Sequence, residues 1–187
     1  PPPPPPHSLA PPTHGTVFRH ASGVLPQVRR RLLDFYPADV LRKKIAARAA
    51  VAAQAGQYNL LRIVKRGDLT AAMLASGRFA DAVLSMIYLL NRRYMPFYKW
   101  SYRGLSALSL LRETGEKLRE LPEVFTLLKA GESECAYDRA FSVTEEICSA
   151  LAAELRRQNF SAVQSDFLQD HLADIMSGIE DPQIAGM

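Results

Sequence analysis

Between Asn91 and Arg103 the chain reads Asn-Arg-Arg-Tyr-Met-Pro-Phe-Tyr-Lys-Trp-Ser-Tyr-Arg, which sets the only tryptophan, Trp100, among four other aromatics and four cations. Tyr94, Tyr98, Trp100 and Tyr102 offer ring faces on which a flat group can stack, while Arg92, Arg93, Lys99 and Arg103 offer charge to phosphate oxygens. That pairing suits a nucleotide. The same residues also suit a plug, in which Phe97, Trp100 and Tyr102 close the end of a helical bundle and the cations face water. Asn91 poses a similar choice: its amide sits near an apolar helix face and meets either neighbouring backbone or a ligand, because leaving it unpaired costs on the order of 1–3 kcal/mol.

Two further groups carry chemistry. Lys44, Arg48, Val51, Ala55, Tyr58, Arg62 and Lys65 recur at spacings of three and four, so regular α-helical geometry gives them one face, with Asn59 beside Tyr58. Such a face either cradles a phosphorylated ligand against Tyr58 or is an ordinary solvated surface. Near the C-terminus, Asp166, Asp170 and Asp174 form an acidic row at i, i+4 spacing, which suits either a divalent cation or compensation of a helix dipole. His171 beside the row is expected to be a hydrogen-bonded structural residue. Cys135 and Cys148 stand in neither C-x-x-C nor zinc-ligand spacing, which points to free thiols in a reducing compartment.

The elements that must hold these residues read as helices throughout. Pro1 to Pro6, with Pro11 and Pro12, cannot donate backbone hydrogen bonds and give residues 1–16 the character of an extended, disordered tail. A short helix is expected from Pro26 to Phe35, with Val28, Leu32, Leu33 and Phe35 inward and Arg29 to Arg31 outward. A long helix follows from Pro37 to Lys65, its alanine-rich middle allowing another helix to approach closely, and Gly67 stops it. Asp68 caps the next, expected to reach Tyr94 with Leu69, Met73, Ser76, Ala80, Val83, Ile87, Leu90 and Tyr94 buried. Pro96 ends it. Short helices over residues 105–111, 113–121 and 122–129 precede one that starts at the capping box Ser142 to Glu145, and a last one that starts near Ser165. Together these predict an all-α bundle of about five to seven helices occupying residues 17–187 as one domain.

With 187 residues, of which 48% are hydrophobic and 22% charged, the chain has material for one sizeable core. No apolar run is read as approaching the roughly 20 residues of a membrane span, and no secretory signal pattern is seen. A soluble, cytoplasmic protein with no membrane partner is the expectation. The net charge of +4 conceals an asymmetry: residues 29–103 hold fifteen Lys/Arg and four acids, whereas residues 104–187 hold seven Lys/Arg and fifteen Asp/Glu. Either the basic half faces an anionic partner, or the two halves neutralise each other across their own interface.

Three segments taken together resemble one family: Gln57 to Asp68, then Leu89 to Trp100 with its Asn-Arg-Arg-Tyr-Met-Pro-Phe-Tyr-Lys-Trp run, then Ser165 to Leu168 with His171. The chain from about Val17 onward is similar to the helical C-terminal domain, of uncharacterised function, of bacterial proteins whose N-terminal half is nucleotidyltransferase-like. The resemblance implies a helical bundle that closes the cleft of an α/β catalytic domain and shapes the acceptor site. Carried over by position, Tyr58, Asn59, Lys65, Arg66, Asn91, Arg92, Tyr94, Lys99, Trp100 and Arg103 become lining of that cleft, with Asp166 and His171 joining them, and binding is expected to need Lys99 and Trp100. Nucleotidyl transfer in that superfamily requires a Gly-Ser turn and a carboxylate pair that binds metal. This sequence has no Gly-Ser pair and no Asp-x-Asp. The expectation is therefore an accessory half with no catalytic residues, metal ligands or cofactor of its own, to which Mg2+ and ATP come only with a catalytic domain or partner chain. The competing class is a non-enzymatic helical module that binds nucleic acid, belongs to a toxin–antitoxin pair, or dimerises; an RNase is disfavoured, because no Arg precedes His171 by four to six residues.

Overall fold

The structure, a computed structural model, describes residues 8–13 and 24–186. All regular structure among them is helical: α1 (Ala10–Thr13), α2 (Val24–Leu33), α3 (Ala38–Ala52), α4 (Leu61–Lys65), α5 (Leu69–Leu90), α6 (Tyr98–Ser101), α7 (Arg112–Glu116), α8 (Leu121–Lys129), α9 (Ser133–Arg157), α10 (Leu172–Ser177) and α11 (Pro182–Ala185). Most of the proline-rich tail lies outside the described residues. Within it, Ala10–Thr13 forms a helical turn instead of an extended run, since Pro11 and Pro12 occupy a first turn whose N–H groups need no intrahelical partner.

The centre of the bundle is the α3–α5 pair, and small side chains make it. Ala46, Ala49, Ala52 and Ala53 are buried, as are Ala72, Ala75, Phe79, Val83 and Ile87 of the facing helix. Between α3 and α4 the chain does not break but widens into a π-helix over Ala53–Leu60. Such a segment takes more residues per turn than an α-helix. The face that α-helical spacing would continue as Tyr58 and Arg62 is continued instead by Asn59 and Ile63, which line a groove with Arg48, Val51 and Ala55. Gly56 belongs to this stretch because the ring of Phe79 occupies the space where a side chain would begin: an added Cβ would stand 2.4 Å from Phe79 Cδ2.

Asp68 does cap α5, accepting the Ala71 N–H at 3.0 Å. The helix ends earlier than Pro96 alone would require. Arg92 adopts a left-handed conformation with φ of 53°, while Arg92 N donates to Leu89 O and Arg93 N to Tyr88 O, each at 3.0 Å. This is a Schellman termination with arginine at the position usually held by glycine, and it turns residues 93–97 back across the helix end. At the other end of α5, Met73 and Leu74 are exposed, and Ala72, Ala75 and Ser76 are buried in their place. Helix α5 is the one described helix long and apolar enough to cross a membrane; 61% of its apolar window is buried inside the fold.

Other elements depart from their expected starts for reasons of packing. Helix α2 stops at Leu33, leaves Val28 and Leu33 exposed, and passes Phe35 through a left-handed φ of 66°. Ser142 caps nothing, since Ala136, Ala140 and Val143 continue one buried stripe and make α9 a single helix; its hydroxyl bonds Glu146 instead. The helix expected from near Ser165 begins at Leu168 with a 3-10 turn, leaving Asp166 outside the helix and out of register with Asp170 and Asp174. Among the described residues no group of three or more His, Cys, Asp or Glu side chains could hold a metal ion.

Candidate anion-binding cleft

A cleft of about 530 Å³ opens between α3, which contributes Lys43, Lys44, Ala47 and Arg48, and α5, which contributes Asp81, Ser85, Tyr88 and Leu89. The reversed segment Arg93–Tyr98 closes one end and Tyr36 stands at the wall. Phe35, Tyr36 and Tyr94 form a three-ring cluster with centroids 4.7, 4.9 and 5.0 Å apart. The left-handed turn at Phe35, which costs about 1–2 kcal/mol for a residue with a Cβ, is what brings that ring against the other two.

Charge in the cleft is unbalanced. Arg48 reaches Asp81 at 3.5 Å, whereas Lys44 and Arg93 form no ion pair with any described residue. Lys44 Nζ instead lies 4.8 Å from the centre of the Tyr36 ring, and burial, followed by the charge of Arg48, lowers its pKa. A cation destabilised by its surroundings and lacking a carboxylate partner is a recurrent mark of a ligand site. Across the molecule, every ion pair among the described residues joins partners from the same half of the chain, so the acidic half does not neutralise the basic one through ion pairs.

Burial, with a smaller contribution from Tyr94, pushes the Tyr36 hydroxyl up to about 12. An unfolded tyrosine ionises near 10. Between these values the unfolded chain gives up a proton that the folded chain keeps, so the contribution of Tyr36 to stability is present below pH 10 and declines as pH rises toward 12. Tyrosine absorbance followed against pH should show Tyr36 titrating about two units later than an exposed tyrosine, and Tyr36→Phe should shrink the late phase without abolishing it, because burial also raises Tyr88 and Tyr94; a single transition near pH 10 would contradict the burial.

Of the residues singled out in sequence, the structure brings Tyr94, Tyr98, Arg93, Lys44 and Arg48 into this cleft and Asn59 into the neighbouring groove of about 610 Å³, which shares Arg48 and Asp81 as a common wall. The others are distributed elsewhere. Tyr58 pairs with Arg62, whose guanidinium carbon sits 3.7 Å from its ring centre, and Lys65 lies over Tyr137 of α9 at 4.4 Å. Arg66 is exposed at the end of α4. Lys99 Nζ lies 5.8 Å from the centre of the Trp100 ring on the exposed turn of α6, outside the cleft lining, with Arg103 just beyond. Asp166 approaches Arg156 at 3.7 Å. His171 is fully buried, held by Ser161 Oγ at 2.9 Å and Ser165 O at 2.8 Å, the structural role its setting suggested.

Asn91 resolves its choice in favour of backbone. Its Nδ2 donates to Ile87 O at 2.8 Å and Leu110 O at 3.0 Å, and its Oδ1 accepts from Leu110 N at 2.9 Å. The amide thus latches the 108–111 segment to the end of α5. Asn91→Ala should lower the unfolding free energy by about 1–3 kcal/mol, since Leu110 loses both partners; denaturant melts would show it, and an unchanged midpoint would mean that the latch contributes nothing.

The family model described as "Domain of unknown function (DUF4037)" matches residues 4–101, just over half of the chain. The chain belongs to the DUF4037 family. Every residue lining the cleft lies inside the DUF4037 span, which ends within α6. No curated protein and no solved structure matches the chain.

The cleft residues that sequence reasoning did not name as binding groups are Tyr36, Lys43, Asp81 and Ser85. Lys43 carried a signal in its place beside Lys44 and near Arg48 on one helix. The pairing of Asp81 and Ser85 with that helix had none.

Proposed function

We propose that this DUF4037 chain is an accessory helical domain that binds a nucleotide or anionic acceptor substrate for a nucleotidyltransferase-like catalytic unit. The reading rests on one observation above all: a cleft walled by Tyr36, Tyr94 and Tyr98 in which Lys44 and Arg93 lack carboxylate partners. Phosphate oxygens would supply the missing negative charge and the tyrosine rings a surface for the base. The resemblance to helical domains of nucleotidyltransferase-like proteins supports the same reading and adds the partner, a catalytic domain or chain that brings Mg2+ and ATP. A cytoplasmic setting accords with Cys135 and Cys148, both free thiols.

The test is a thermal-shift and calorimetric titration of the chain with ATP, with and without Mg2+, at two salt concentrations. Binding should raise the melting temperature. Lys44→Ala with Arg93→Ala should weaken it by about a hundredfold or more, each charge-assisted hydrogen bond contributing roughly 1.5–3 kcal/mol. Lys99→Ala with Trp100→Ala, outside the cleft lining, should weaken it less. No ATP response in the wild type would refute the nucleotide form of the reading, leaving only an anionic acceptor, and undiminished affinity in a folded Lys44/Arg93 variant would refute the cleft as the site.

A further inference from the structure

The cations of the cleft are not confined to it. Arg42 precedes Lys43 and Lys44 on α3, and Arg92 precedes Arg93 at the end of α5, yet neither Arg42 nor Arg92 lines the cleft. Both turn to its outside, where their guanidinium carbons each lie 5.3 Å from the centre of the Phe160 ring. Neither forms an ion pair with a described residue. Asp174 lines a groove with Arg42 but commits its carboxylate to the Ala162 N–H; that bond is the chief reason its pKa is lowered, and the charge of Arg42 is a smaller one. Arg92 holds its place in a left-handed conformation in which glycine would be unstrained, so the fold tolerates a local cost to keep a guanidinium there.

Beyond Tyr98 the aromatic wall of the cleft also runs on. Tyr98 lines the cleft while 70% exposed, and Trp100, 51% exposed, follows on the same helical turn with Lys99 beside it. A ligand that filled the cleft alone would leave the Arg42–Arg92 pair and Trp100 unused. Unpaired cations both inside and outside a cleft, with exposed rings beside it, match the way single strands are held: cations follow the phosphates and bases stack on aromatics.

We propose that the anionic ligand of this cleft is a single-stranded nucleic-acid segment, its phosphates meeting Lys44, Arg93 and the Arg42–Arg92 pair and its bases stacking on Tyr98 and Trp100. This rests on the anion-binding reading of the cleft and names the substrate class.

Trp100 is the only tryptophan, so its fluorescence reports stacking directly. The full chain is titrated with AMP and with ten-nucleotide ribo- and deoxyribo-oligoadenylates at 50 and 200 mM salt. At least one decamer should quench Trp100 and bind roughly tenfold or more tighter than AMP. If about four phosphates are neutralised, the fourfold rise in salt should weaken decamer binding by about fiftyfold. Arg42→Ala with Arg92→Gly should cut decamer affinity by about tenfold at 50 mM salt and reduce the salt effect to about sevenfold, as two contacts are lost. Its AMP affinity should stay at the wild-type value, which also certifies the fold. Decamers that bind no tighter than AMP, or a double variant that binds them like wild type, would overturn the single-strand proposal while leaving the mononucleotide reading intact. Decamer binding without detectable AMP binding supports the proposal, with the strand as acceptor. Binding of neither overturns both.

Discussion

Phe79→Ala is expected to lower the unfolding free energy by about 3–5 kcal/mol, the usual cost of removing a fully buried aromatic ring. The more discriminating result comes from its neighbour. Gly56→Ala has two opposed effects: alanine is favoured over glycine within a helix by about 1 kcal/mol, but here its Cβ would stand 2.4 and 2.6 Å from two carbons of the Phe79 ring. Because that ring is fully buried, it has no solvent to retreat into, and overpacking of this kind costs about 1–3 kcal/mol. The clash should win, making Gly56→Ala destabilising in the wild type. In the Phe79→Ala background the ring is gone, so the same substitution should become neutral or stabilising. A double-mutant cycle by denaturant melts measures the coupling; additive effects would mean that the ring and the π-helix are not in the contact described.

Gly104→Ala is expected to destabilise the wall of the cleft, through one atom. The new Cβ would lie 2.3 Å from Tyr88 Oη, with the next nearest atom of that ring at 3.6 Å. Tyr88 is buried, and its hydroxyl donates to Ser101 O at 2.9 Å, tying α5 to the turn that carries Tyr98 and Trp100. Displacing the hydroxyl breaks that bond and forces the side chain off its rotamer, a combined cost of about 2–4 kcal/mol. Tyr88→Phe alone should cost about 1–2 kcal/mol, because the Ser101 carbonyl loses its donor. Since only the hydroxyl clashes, Gly104→Ala should then add little to Tyr88→Phe. Full additivity would place the strain elsewhere.

How much was legible in the sequence follows from which forces act locally. The all-α class, the α5 stripe through Ser76, Val83, Ile87 and Leu90, the Asp68 cap and the close approach of the alanine-rich α3 all come from spacings and caps that neighbouring residues impose on one another. The basic, aromatic stretch from Arg92 to Arg103 was equally visible as chemistry. Its geometry was not: the Schellman turn at Arg92 sends Arg93 and Tyr98 into the cleft and Arg92 out of it toward Phe160, and residues adjacent in sequence thereby serve opposite sides. The widened turn at Gly56 likewise depends on where the Phe79 ring lies, twenty-three positions away. Periodicity assumes a constant number of residues per turn, and once tertiary packing changes that number, every later residue changes its face. Sequence alone determined which residue types were available for binding an anion; the packing of α3 on α5, and the turn that closes α5, decided which of them face a common space and which lack a counter-charge.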